Sequence, residues 1–280
     1  MIRVLGALFR HPSGRIGLVI IGLYLAIALL GALGLTPHPA LKQFMIDRLK
    51  GPSATYWMGT DLLGRDTASR LMLGIGQSML IAFSSVAWAA IAGTIIGLLS
   101  AWLGGLWDGV LMRFMDVLLA FPAILLALLI IAIVGPGTLT SVTAIGIVYT
   151  PIFARVVRGP ALSLKRRDFV DAARTFGSSQ RYILTRHLLL NLVAPLAVQV
   201  TLALAWALLT EAGLSFLGLG TQPPTPSLGL MLAESKNLMQ QAPWLMIFPA
   251  LTIMLGILGF NLTGDALRDI LDPRTQGRTA

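Results

Sequence analysis

The sequence contains no cysteine, so disulfide bridges and thiolate metal sites are excluded. Charge is also scarce: 12% of the residues are Asp, Glu, Lys or Arg, where a soluble domain carries about 25%. The three histidines, His11, His38 and His187, fall in predicted connections with no metal-ligand spacing. The chain lacks the Gly-x-x-x-x-Gly-Lys-Ser/Thr loop that cradles nucleotide phosphates, and the Gly-x-Ser-x-Gly of serine hydrolases. A hydrolase working inside a membrane needs a buried nucleophile and base, and the sequence offers no such pair. Transport or conduction is what remains, and we expect no enzymatic activity, metal or cofactor of its own.

What fills the chain instead is apolar: 56% of its 280 residues are hydrophobic, in runs of the roughly 20 residues that cross a bilayer. The net charge of +9 does not point to nucleic acid, because the basic residues lie between apolar runs and form no single soluble face. They read as topology determinants. The runs predict an all-α integral membrane protein with six spans, at 16–35, 78–103, 113–134, 139–157, 192–217 and 244–264. The first is longer than the core of a signal peptide and is expected to be retained. Of the 21 Lys and Arg residues, six (Lys42, Arg48, Lys50, Arg65, Arg70 and Lys236) fall in connections on one side. The rest, including Arg155, Arg158, Arg268, Arg274 and Arg278, fall on the other. The positive-inside rule then places both termini (1–15 and 265–280) and the segment 163–191 in the cytoplasm, with 36–77 outside.

Several features suggest a bundle built to pack and to bend. Ala89, Gly93, Gly97 and Ala101 recur every four residues, a small-residue stripe that lets another helix approach closely. Pro122, Pro151, Pro195 and Pro249 lie in or near four spans, and each frees a carbonyl and favours a bend. Asp116 is one turn from Arg113, a spacing at which ion pairs form. Glu211 has no cation within one turn and sits near the outer end of its span. It is either a pathway or gate residue or a carboxylate bonded to the adjacent loop. Beyond it, GTQPPTP (220–226) reads as a stiff, extended brace.

One hydrophilic interruption organises the rest: SLKRRDFVDAARTFGSSQRYILTRHLLLN, residues 163–191. Phe169, Ala173 and Phe176 share a helix face with Val170 alongside. Gly177 stands where a helix end favours a left-handed residue, and Ser178 or Ser179 can cap a second helix. The product is a short amphipathic helix between two spans. Its residues alone allow two roles, resting on lipid headgroups or docking Phe176 and the Ala172–Ala173 patch into a partner's groove.

This segment resembles the EAA loop of ABC-importer permeases, carried here by Asp171-Ala172-Ala173 and Gly177. From Gly59 onward the chain resembles the dipeptide/oligopeptide/nickel branch of those permeases. The matching blocks are GTDLLGRDTASR (59–70), RFMDVLLAFP (113–122), TEAGLSFLGLGTQPPTPS (210–227) and FNLTGDALRDILDPR (260–274). Two positions depart from the family pattern: Asp171 replaces the usual Glu, and Leu190 the usual Pro. The resemblance implies a type I, MetI-like permease core (78–264) with a cytoplasmic coupling helix, in a bacterial inner membrane. It also implies a homologous second permease chain, two cytoplasmic ATPases that bind the ATP, and an extracytoplasmic substrate-binding protein. Asp168, Asp171, Ala172, Ala173, Phe176 and Gly177 would couple to the ATPase, and short peptides would be the cargo. Nickel, a metal chelate or an opine is the alternative cargo for the same machinery. A passive six-helix channel is the alternative of a different class.

Overall fold

A computed structural model describes residues 2–271, so the expectations for Arg274, Arg278 and the end of the tail lie outside the described residues. The polypeptide is helical in all its long elements. Helix α1 (Ile2–Arg10) leads into α2 (Pro12–Ala32), which starts with Pro12 in the first turn, where its missing N–H costs nothing. An irregular segment with one 3-10 turn (Met45–Asp47) follows. Then come α3 (Thr67–Leu103), α4 (Gly105–Leu119), α5 (Ala123–Val134) and α6 (Thr138–Leu164). The short α7 (Asp168–Thr175) and the single turn α8 (Gln180–Tyr182) come next. A π-helical stretch, Ile183–Leu188, runs into α9 (Leu189–Phe216). Helices α10 (Leu228–Ser235) and α11 (Trp244–Leu271) close the chain.

By length and composition, α2, α3, α6, the α8–α9 continuum and α11 can each cross a membrane. The sixth span departs from expectation. Instead of one helix over 113–134, α4 and α5 meet at 92° across residues 120–122. Proline at 122 has no N–H to give a continuing helix, and it drives the preceding residue away from helical backbone. Pro151, Pro195 and Pro249 lie inside α6, α9 and α11, which run on through them. The helices exceed the predicted runs because helical backbone continues past the apolar stretch into its flanks. Helix α3 has 37 residues and so reaches about 55 Å at 1.5 Å per residue, further than a hydrocarbon core of about 30 Å.

The small-residue stripe of α3 is fully used within this chain. Ala89, Gly93, Gly97 and Ala101 are all buried, and their partner is α6. A Cβ on Gly93 would lie 2.5 Å from the Cβ of Phe153 and 2.6 Å from the carbonyl of Thr150. One on Gly97 would lie 2.5 Å from the carbonyl of Ala154. Backbone-to-backbone packing of this kind is what holds helices together where lipid removes the hydrophobic drive. Gly93→Leu is therefore expected to lower the melting temperature of the purified chain sharply, since overpacking costs about 1–3 kcal/mol or more. Gly109→Ala on α4, where nothing lies within 4 Å, is the matched control and should melt like the wild type. Equal melting of the two variants would show that the α3–α6 seam does not carry the fold.

Candidate functional site

The two ends of the bundle carry different chemistry, and α3 joins them. At its N-terminal end sits the block 59–70, which folds into a tight knot. Gly64 has φ of +72°, and a Cβ there would fall 1.8 Å from the carbonyl oxygen of Phe44, so only glycine fits. Thr60 is buried; its hydroxyl accepts the Lys50 N–H at 2.8 Å and donates to the Asp47 carbonyl. Asp47 in turn receives the Lys50 ammonium and the Tyr56 hydroxyl. The Lys50 bond, reinforced by that of Tyr56, holds the Asp47 carboxyl below its ordinary range. Asp66 caps α3, accepting the Ser69 N–H at 2.9 Å. Thr60, Asp61, Asp66 and Ser69 of GTDLLGRDTASR are thus engaged in folding this knot.

Next to it, the end of α9 packs against α10, with Glu211 buried between them. Its side chain is wholly enclosed, and Oε1 accepts from the Ser215 hydroxyl at 2.7 Å. The hydroxyls of Ser78 and Ser227 are buried nearby, while Oε2 has no hydrogen-bond partner among the described residues. Each of these three serines accepts a backbone N–H as well. Ser215 takes that of Thr221, Ser78 that of Leu228 and Ser227 that of Leu230, each at 3.2 Å. The connection 218–230 is thus held by serines packed about Glu211, whose own bond is to Ser215 one turn along α9.

At the opposite end, α7 lies against the C-terminal parts of α3, α6 and the π-helical stretch. Val170 and Ala173 are buried in a cluster with Ala101, Val157, Ala161 and Ile183. This corrects one expectation: Ala173 faces the chain's own bundle and is no part of an exposed docking patch. Ala172, Asp168, Asp171 and Gly177 are exposed, and Phe176 stands 89% exposed, an extreme value for a large aromatic side chain. Phe169 is 39% exposed and lies against His187, which also meets Tyr182 edge-on. Asp171 pairs with Arg174 within the helix at 3.1 Å.

The ending of α7 follows the expected design. Gly177 has φ of +75°. Its N–H bonds the Arg174 carbonyl and the Ser178 N–H reaches back to that of Ala173, at 2.9 and 3.0 Å. This is a Schellman closure. Ser179, not Ser178, caps the next turn by accepting the Tyr182 N–H at 3.3 Å. The π-helical stretch that follows ends just before Leu190. It gives the chain a local irregularity close to where the family pattern would place a proline.

Above α7, Trp102 lies within 5.6 Å of the Lys165 ammonium and 5.1 Å of the Arg174 guanidinium, an arrangement suited to cation–π attraction. Lys165 also donates to the carbonyls of Ala101 and Trp102, tying α6 to the end of α3. Nearby, Arg158 makes a two-pronged pair with Asp108. Asp116 bonds Arg155 at 2.5 Å. The expected Arg113–Asp116 pair is therefore replaced by a contact between α4 and α6. Helix spacing alone cannot see such a partner, because Arg155 is 39 residues away.

Similarities to known proteins agree with this architecture. Residues 93–277 match the family described as the binding-protein-dependent transport system inner membrane component. A dipeptide transport system permease protein of Alkalihalophilus pseudofirmus is 44% identical over 95% of this chain and 87% of its own length. A glutathione transport system permease protein of Pectobacterium atrosepticum is 43% identical over 95% and 88% respectively. Among solved structures, the inward-facing methionine transporter MetNI superposes with a TM-score of 0.57 over 71% of this chain and 94% of the other, at 17% identity. At that identity the superposition speaks for the fold alone, and the fold is that of a type I importer permease. The chain thus belongs to the binding-protein-dependent transport system inner membrane components, as a multi-pass ABC-importer permease subunit of the peptide/nickel branch.

Proposed function

We propose that this subunit imports short peptides by alternating access, driven by ATP that partner chains bind and hydrolyse. It would pair with a homologous second permease, two cytoplasmic ATPase chains and an extracytoplasmic substrate-binding protein, with both of its termini in the cytoplasm. The observation that carries this reading is α7: a short helix seated on its own bundle through Val170 and Ala173 while Phe176 projects free. A passive channel has no use for such a projection. The Trp102, Lys165 and Arg174 contacts would carry a push on α7 into the ends of α3 and α6, and the 92° break beside Pro122 offers a place for the bundle to flex. The peptide cargo follows from the names of the relatives, which handle a dipeptide and glutathione.

Reconstituted into vesicles with its genomic neighbours, the subunit is expected to support uptake of a labelled dipeptide that requires both ATP inside and receptor outside. Flux without ATP overturns the importer reading. ATP-driven uptake of nickel or a metal chelate, with none of peptide, overturns the cargo.

A further inference from the structure

Helix α4 is attached to the rest of the chain differently from its neighbours. At its N-terminal end stand two consecutive glycines, Gly104 and Gly105, with φ of +68° and +51°. Nothing lies within 4 Å of where a Cβ would sit on either, so this joint has both the backbone freedom and the room to turn. At its other end the chain turns by 92° at residues 120–122. Between these two breaks, Met115 is the one residue of α4 that is buried.

What fastens α4 to α6 is charge. Arg158 grips Asp108 with both prongs of its guanidinium, Nε at 2.6 Å, and the Ser100 hydroxyl of α3 donates to the same carboxylate. Asp116 bonds Arg155 at 2.5 Å, with the two side chains 45% and 54% exposed. Ion pairs this open to solvent hold weakly and reversibly. A fixed strut would be seated by apolar burial and would need neither a glycine pair nor a helix break at its ends. The N-terminal joint also lies beside the α7 contacts. Trp102, two residues before Gly104, receives the Arg174 guanidinium of α7 at 5.1 Å from its ring, and its Nε1 donates to Gln180 at 3.1 Å.

We propose that α4 is a hinged arm latched to α6 by the Asp108–Arg158 and Asp116–Arg155 pairs, and that displacement of α7 releases this latch in each transport cycle. A push on α7 reaches Trp102 and so turns the Gly104–Gly105 joint. The arm then swings between its two breaks, a hinge motion between discrete packings. The inference rests on the importer reading and adds to it the part of the chain that moves.

The absence of cysteine makes the test clean. Asp116→Cys with Arg155→Cys, in the assembled complex in vesicles, is joined by a short bis-methanethiosulfonate linker that a reducing agent removes. Joining is expected to cut ATP-driven dipeptide uptake about tenfold or more, as for a blocked gating step, and reduction should restore it. Wild-type and single-cysteine complexes given the same reagent should be unaffected. Equal uptake by the joined and reduced forms makes α4 a fixed strut and overturns the latch, as does a double variant that takes up nothing before joining. A second measurement uses charge exchange. Asp116→Arg and Arg155→Asp should each raise receptor-independent ATP hydrolysis about threefold, the weight of one half-exposed ion pair, and the two together should bring it back. Hydrolysis at the wild-type rate in all three variants also overturns the latch. Absence of ATP-driven uptake in the wild-type vesicles is a separate result: it overturns the importer reading, and this inference with it.

Discussion

Phe176→Asp is expected to reduce ATP-driven uptake by about 30-fold or more, the loss of one aromatic anchor worth at least ~2 kcal/mol at a protein interface. Phe176 makes little contact with its own chain at 89% exposure, so this variant should insert, melt and resist protease like the wild type. What it should lose is co-purification with the ATPase. Ala173→Arg is expected to abolish uptake as well, by a different route. Its side chain would enter the cluster of Val157, Ala161, Val170 and Ile183, where an unpaired charge costs about 3–5 kcal/mol. Helix α7 should leave its seat, and limited proteolysis should then cut between residues 165 and 180 far faster. Gly177→Arg falls between the two: space around the residue is open, but a left-handed backbone costs a side chain about 1–2 kcal/mol. Normal uptake and normal ATPase capture by Phe176→Asp would remove the docking role of α7. A protease pattern in Phe176→Asp like that of Ala173→Arg would show that Phe176 supports the seat instead.

The contrast between these two residues also shows how far sequence reasoning reaches. Periodicity placed Phe169, Ala173 and Phe176 on one face, yet burial separates them, because Phe176 lies at the helix cap where the backbone turns away toward Gly177. The amphipathic helix, its glycine ending and the small-residue stripe were all legible, since each depends on residues a few positions apart. Contacts made at long range were not. The Asp108–Arg158 and Asp116–Arg155 pairs, the Trp102 cluster and the Ser78–Leu228 bond join residues 39 to 150 positions apart. No local spacing announces them. The break at residues 120–122 was signalled by Pro122 but read as a bend in one helix, because composition cannot tell a 92° turn from a mild kink.

Glu211→Ala is expected to lower the melting temperature of the purified chain by roughly 5–10 °C, which corresponds to a loss of about 2–3 kcal/mol. The reason is the Glu211 bond to Ser215 and the serine-held backbone around it. Removing the side chain leaves the enclosed hydroxyl of Ser215 without its acceptor and opens a void beside the buried Ser78 and Ser227. Those serines hold the N–H groups of Thr221, Leu228 and Leu230, so the start of α10 should loosen on α9. The fit between the two helices is close: a Cβ on Gly229 would lie 2.3 Å from the carbonyl of Ala212. A small displacement therefore cannot be absorbed locally and must lift the whole of α10, together with Glu234 and its bonds to Arg65 and Arg70. Hydrogen exchange should report this as faster exchange over residues 218–236 and, through Arg70, at the N-terminal end of α3. Glu211→Gln separates anchoring from charge. Its amide oxygen can still accept from Ser215, so the melting temperature should stay within a few degrees of the wild type, and uptake should survive. If Glu211→Gln stops uptake while melting and exchange are unchanged, the carboxylate's charge acts on the transported molecule or on the gate, and the anchoring account of Glu211 is wrong.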